Sequence, residues 1–163
     1  MKRAALWGDT TRQLTAKQKL YESIYSRFIF LDTLSMNDTT MNDFVQRIRQ
    51  FRPRILFGHG HSIYFFARFL LERGIDDIRF DGIISSAEVL PPEERRLVES
   101  VFGNIVFDRY GCEEVSLIAS ECGAHDGLHI APESIYVEVL DGDENNPGRL
   151  ILTDLRNLGT PLI

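Results

Sequence analysis

Cysteine is scarce in this sequence. Cys112 and Cys122 are the only two in 163 residues, too few for a disulfide framework. They read as reduced thiols of a cytoplasmic protein, with a metal or redox role as the alternative. Basic residues are also in short supply: 18 Lys and Arg stand against 24 Asp and Glu, a net charge of −6, and no basic run exceeds two residues. That balance argues against nucleic acid as a main partner. Long apolar runs are missing too. The longest stretch, Ile63 to Leu71, is interrupted by Arg68 and falls far short of the ~20 residues that span a bilayer. The start MKRAALWGDTTRQ has no apolar segment after its basic residues, so no secretory signal is expected there. Repeats, low-complexity tracts and linkers are likewise absent.

What remains is the composition of an ordinary globular domain, 44% hydrophobic and 26% charged. In the polar first forty residues, Leu20, Ile24 and Phe28 recur every fourth position and predict a short amphipathic helix. The cluster Asn37-Asp38-Thr39-Thr40 suits a helix cap, and Met41, Phe44, Ile48 and Phe51 continue a helical pattern that stops before Pro53. Beyond it the pattern alternates. Arg54–Gly58, Phe80–Ser85 and Asn104–Phe107 read as strands, separated by helices carrying Ile63, Phe66, Phe69 and Leu70, then Leu97, Val98, Val101 and Phe102. The second of these helices opens on Pro91-Pro92-Glu93-Glu94, proline and acids where a first turn favours them.

Strand–helix alternation predicts a parallel βαβαβ half of an α/β fold. After Tyr110 the helical pattern ends, and Val115–Ala119, Ile135–Leu140 and Arg149–Thr153 read as strands of a β-rich half, the last two joined by the turn-rich 141–148. The expected organisation is therefore residues 1–110 as helical lead-in and parallel α/β part, and 111–163 as the β-rich part of the same domain.

Ligands of open parallel sheets bind beyond the carboxyl ends of the strands. The segments expected there are Gly58-His59-Gly60-His61-Ser62, Ser85-Ser86-Ala87-Glu88 and Asp108-Arg109-Tyr110-Gly111-Cys112-Glu113-Glu114. Each is read either as part of a site or as solvated surface. Tyrosine directly before glycine offers a flat face beside open backbone, suited to stacking a nucleobase. Carboxylates such as Glu113 and Glu114 are hard ligands suited to Mg²⁺.

Tyr110-Gly111-Cys112-Glu113-Glu114 resembles the Tyr-Gly-x-Thr/Ser-Glu motif of the adenylate-forming superfamily. The order Ser85-Ser86-Ala87-Glu88-Val89-Leu90, then Val101-Phe102-Gly103, then Tyr110-Gly111 is similar to the phenylacetate-CoA ligase and capsular polysaccharide biosynthesis branch. So are Ala119–Cys122, Gly127–Ile130, Val137–Leu140 and Gly148–Leu155, on to Thr160-Pro161-Leu162-Ile163. The resemblance covers residues 50 to 163 well and the first fifty more loosely. It implies the inner part of the large N-terminal domain of an enzyme that joins a carboxylic acid to AMP at the expense of ATP, then passes the acyl group to a thiol such as CoA. On that resemblance Tyr110 would stack on adenine, Gly111 would admit the nucleotide, and Asp108 would face the adenine edge. Ser86, Ala87 and Glu88 would wall the pocket, His59 to Ser62 would sit near the acyl group, and Glu114 would be the catalytic carboxylate that helps hold Mg²⁺.

The sequence departs from the family at Glu113, where a hydroxyl residue would contact the α-phosphate. A carboxylate there repels phosphate unless a metal or proton intervenes. The resemblance also places the glycine- and Ser/Thr-rich phosphate loop before residue 1. The Arg-Tyr-Arg-Thr-Gly-Asp stretch and the mobile domain with its catalytic lysine would follow residue 163. This chain is thus expected to be a fragment, inactive by itself, of a working ligase. The alternative is a non-catalytic nucleotide- or zinc-binding module. Zinc enters through Cys122, His125 and His129, spaced Cys-x2-His-x3-His with Cys112 ten residues earlier; they read either as ligands of a structural site or as a solvated loop.

Overall fold

A computed structural model describes residues 1–8, 27–142, 146–157 and 159. Seven strands form one mixed, mostly parallel sheet in the order β2-β1-β3-β4-β5-β6-β7, and two more form an antiparallel pair. The strands are β1 (Arg3–Trp7), β2 (Phe28–Asp32), β3 (Ile55–His59), β4 (Gly82–Ser86), β5 (Val106–Cys112), β6 (Ser116–Glu121), β7 (Leu128–Ile130), β8 (Ile135–Leu140) and β9 (Arg149–Asp154). The helices are α1 (Asp38–Phe51), α2 (Gly60–Glu72) and α3 (Pro92–Phe102). The chain divides into two compact units, residues 1–108 and 109–163.

In the first unit β1 runs parallel to both β2 and β3, and β3 parallel to β4. Ala4, Ala5 and Leu6 are all buried, as an interior strand of a sheet covered on both faces requires. Gly58 on β3 allows its close pairing with β1, because a Cβ there would come within 2.7 Å of the Leu6 carbonyl oxygen. Helix α1 starts at a reciprocal capping box. The Asn37 side chain accepts from the Thr39 and Thr40 amides at 3.0 and 3.1 Å, and Thr40 Oγ1 accepts from the Asn37 amide at 3.0 Å. The helix ends at Arg52, which adopts a left-handed conformation (φ 52°) and donates its amide to the Ile48 carbonyl. Phe44 and Ile48 from α1, Ile63, Phe66 and Leu70 from α2, and Val98 and Phe102 from α3 close over Leu6, Leu56, Ile83 and Val106 in one core. Burial of each such side chain stabilises the unit by about 1.5–3 kcal/mol.

In the second unit β5, β6 and β7 pair antiparallel, with a bulge between Tyr110 and Gly111. The β8–β9 pair, Ile135↔Asp154 through Leu140↔Arg149, contributes Ile135, Val137 and Leu152 to a small core with Val115, Ile118 and Ala119.

Several sequence expectations need correction. Phe28 does not end a helix. It opens β2, whose Phe-Ile-Phe-Leu run is held by pairing with β1, a strand that the polar surroundings concealed. Leu20 and Ile24 lie outside the described residues, as do 143–145 of the turn-rich segment and 160–163. The segment 108–114 is not a loop throughout. Its first five residues continue β5 through Cys112, because the bulge lets a polar, glycine-containing stretch keep pairing with β6. The 120–130 region also contains a strand, β7.

Candidate functional site

At the carboxyl ends of the first unit's strands lies a cavity of about 690 Å³, a size ordinary for small-molecule sites. It is lined by Gly8 after β1, Thr33 and Leu34 after β2, His59 at the end of β3, His61, Ser62 and Phe65 on α2, and Glu88 after β4, with Met36 and Met41 beside them. Strand β3 passes into α2 without an intervening loop, so His59 caps the helix and His61 falls in its first turn. His59 supplies no side-chain cap. That task passes to Glu88, whose Oε2 accepts the His61 amide at 3.2 Å, a carboxylate where the helix dipole favours one.

The two histidines are held differently. His59 packs edge-on to Trp7, with ring centroids 4.1 Å apart, and its Nδ1 stands 3.9 Å from Glu88 Oε1, an electrostatic contact beyond hydrogen-bond range. His61 Nδ1 lies 2.9 and 3.1 Å from the two carboxylate oxygens of Glu94 on α3. A carboxylate only accepts, so in the neutral ring the proton sits on Nδ1 and the lone pair on Nε2. Phe65 meets the His61 ring edge-on at 4.5 Å. The sequence had pointed to His59, His61 and Glu88 but not to Glu94, whose place in a helical first turn looked like dipole compensation alone. Trp7 and the apolar wall of Leu34, Met36 and Met41 carried no motif.

The remaining expected residues are placed as follows. Ser86 ends β4, in register with His59. Ala87 follows it with φ 68°, a left-handed conformation that alanine rarely adopts and that concentrates at functional turns. Asp108 closes the first unit, on β5. Tyr110, Gly111, Glu113 and Glu114 belong to the second unit, where Tyr110 is 44% exposed and so has a face open to a ligand. Gly111 is required by its own fold: a Cβ would lie 2.3 Å from the Ser116 carbonyl oxygen. Glu113 and Glu114 are exposed in the turn after β5. The Glu114 carboxyl is held below its ordinary range, first by its own backbone N–H and then by the Cys112 thiol.

The expected zinc set is not assembled. Cys122 Sγ and His129 Nε2 lie 3.1 Å apart, but His125, at φ 53°, turns to Glu121, with Nδ1 3.4 Å from its Oε2. Among the described residues no three His, Cys, Asp or Glu side chains converge to hold a metal ion. A second cavity, about 530 Å³, lies where the chain enters β3 and β4 and is lined by Arg49, Arg52, Arg79 and Asp77. Its charges are partly spent in the two-pronged Arg49–Asp77 pair, at 2.7 and 2.8 Å. No helix among the described residues is long and apolar enough to cross a membrane.

No protein-family model matches the sequence, and no curated protein matches it. Solved structures do match. An open conformation of 2-hydroxyisobutyryl-CoA ligase in complex with 2-HIB-AMP and CoA has TM-score 0.64 and 17% identity over 94% of this chain and 39% of its own. A malonyl-CoA ligase with methylmalonyl-CoA and AMP bound has TM-score 0.54 and 12% identity over 94% of this chain and 35% of its own. The amide bond synthetase McbA from Marinactinospora thermotolerans has TM-score 0.53 and 14% identity over 78% of this chain and 27% of its own. This chain therefore has the fold of part of these enzymes and spans well under half the length of each. The likeness is one of fold, and the neighbours do not single out the phenylacetate-CoA ligase branch.

Proposed function

We propose that this chain is the nucleotide-binding core of a ligase that adenylates a carboxylic acid with ATP and hands the acyl group to a thiol such as CoA. The observation that carries the reading is the fold likeness over 94% of the chain to a CoA ligase caught with an acyl-adenylate. The ordered motifs from Ser85 to Leu155 support it independently, and on them we place the chain in the phenylacetate-CoA ligase and capsular polysaccharide branch. Free thiols at Cys112 and Cys122 agree with a cytoplasmic setting.

The residues present suit a nucleotide and Mg²⁺ in kind. Tyr110 offers an exposed aromatic face for adenine, re-aimed by the bulge beside it. Glu114 is a solvent-accessible carboxylate kept ionised by the groups around it, and Mg²⁺ commonly takes only one or two protein carboxylates beside phosphate and water. Bound ATP would supply the adenylyl group, and Mg²⁺ the counter-charge. The chain's own contribution is positioning and charge neutralisation, which such transfers need more than a side-chain nucleophile. We assign Asp108 to the adenine edge, and Ser86, Ala87 and Glu88 to the wall of the substrate pocket.

Glu113 favours a second reading, a nucleotide-binding module without catalysis, because its carboxylate stands where the family has a hydroxyl for the α-phosphate. Calorimetric titration of residues 1–163 with AMP tests what the two readings share. Both require saturable binding that Tyr110→Ala weakens about tenfold, the loss of one stacked base. A flat titration overturns both.

A further inference from the structure

The cavity at the carboxyl ends of β1, β2, β3 and β4 has walls of two kinds. Leu34, Met36, Met41 and Phe65 are apolar, and the two methionines, unbranched and polarisable, re-pack readily around varied shapes. The polar end consists of His59, His61, Ser62 and Glu88, with Thr33 nearby. Glu88 is already engaged by the His61 amide. The His61 side chain is different. Glu94 takes its Nδ1–H, and its Nε2 has no hydrogen-bond partner among the described residues. A cavity-lining imidazole with one nitrogen anchored and the other open is a preset hydrogen-bond acceptor.

We propose that this cavity takes a carboxylic acid carrying a hydroxyl on an apolar body, and that His61 Nε2 accepts the hydroxyl proton while Glu94 positions the ring. That the ligand is an acid rests on the ligase reading above; that it carries a hydroxyl rests on His61 and Glu94. A second carboxylate on the ligand would be repelled by Glu88 and by the Glu94 charge behind the imidazole. An ammonium group would find the Glu88 carboxylate, whose oxygens keep lone pairs beyond the one taken by the His61 amide, so a hydroxyl and an ammonium ligand must be compared directly. A hydroxyl meets no such repulsion, and it gives the half-exposed His61 Nε2 a partner on the ligand in place of solvent.

The test is NMR titration of the 163-residue chain with mandelate, its deoxy counterpart phenylacetate, and phenylglycine, following the His61 ring nitrogens by ¹⁵N labelling. Mandelate is expected to bind about tenfold more tightly than phenylacetate, the worth of one hydrogen bond, and to shift Nε2. His61→Leu should bring the ratio of mandelate to phenylacetate affinity to about one, whatever it does to either affinity alone. Glu94→Ala should convert a single Nδ1–H tautomer into a mixture and shrink the preference, an effect that a purely structural Glu94 would not produce. Equal affinity for mandelate and phenylacetate, a preference for phenylglycine, a preference that survives His61→Leu, or no binding of any of the three overturns the proposal. AMP binding separates this from the broader reading. AMP binding without a mandelate preference removes only this proposal. A mandelate preference without AMP binding supports the cavity's selectivity and removes the ligase.

Discussion

Gly111 is fixed by sterics before any ligand is considered. An alanine there would drive its Cβ into the Ser116 carbonyl, 2.3 Å away, and backbone on both sides of the β5–β6 pairing would have to give. Gly111→Ala should cost about 3 kcal/mol, the upper end for overpacking, and appear as a lower midpoint in thermal unfolding. Glu114 makes an electrostatic prediction. Its own N–H and the Cys112 thiol both favour the charged form, so its folded pKa lies below the ordinary 4.5. A depressed carboxyl contributes stability that is fully present above the unfolded pKa and is lost as pH falls through the folded one. NMR titration of the Glu114 side chain should therefore give a midpoint below 4.5, and Cys112→Ala should move it upward. An unchanged midpoint would mean that the thiol does not donate to it.

Among the elements, α1 shows most plainly how local chemistry sets a boundary. Asn37→Ala removes the acceptor of two amides and should destabilise the first unit by about 1 kcal/mol, read as a lower urea midpoint at unchanged slope. This helix was readable from sequence for the same reason. The Asn-Asp-Thr-Thr cap, the spacing of Phe44 and Ile48, and Pro53 all agree. Helices α2 and α3 were legible likewise. Strands β1 and β2 were not, because Ala4–Trp7 is a run of only four apolar residues and is strand-like chiefly by virtue of its neighbours on either side. The polar end of β5 was hidden similarly, since Asp108, Arg109 and Gly111 have low strand preference and are held by pairing with β6. The site divides along the same line. His59, His61 and Glu88 stood beside readable strand ends. Glu94 and the methionine wall became visible only when α1, α2 and α3 had been packed. The Cys-x2-His-x3-His spacing could not disclose that His125 would turn toward Glu121.

For the molecule as a whole, fold and chemistry carry different weight. The fold is shared with parts of acyl-CoA ligases that bind acyl-adenylates, AMP and CoA, at 12–18% identity and over well under half of each partner. Such likeness does not transfer an activity, since one fold hosts many chemistries. Any activity has to be argued from the residues: under the proposed reading Tyr110 and Glu114 would serve adenylation, and Glu113 would oppose it. The most direct test is ATP–pyrophosphate exchange with a panel of carboxylic acids, on the chain joined to whatever its gene encodes on either side. The account predicts acid-dependent exchange that falls by about tenfold or more in Tyr110→Ala and Glu114→Gln, consistent with lost nucleotide and metal positioning. Absence of exchange with every acid, in a folded protein that still binds AMP, would contradict the ligase and leave a binding module.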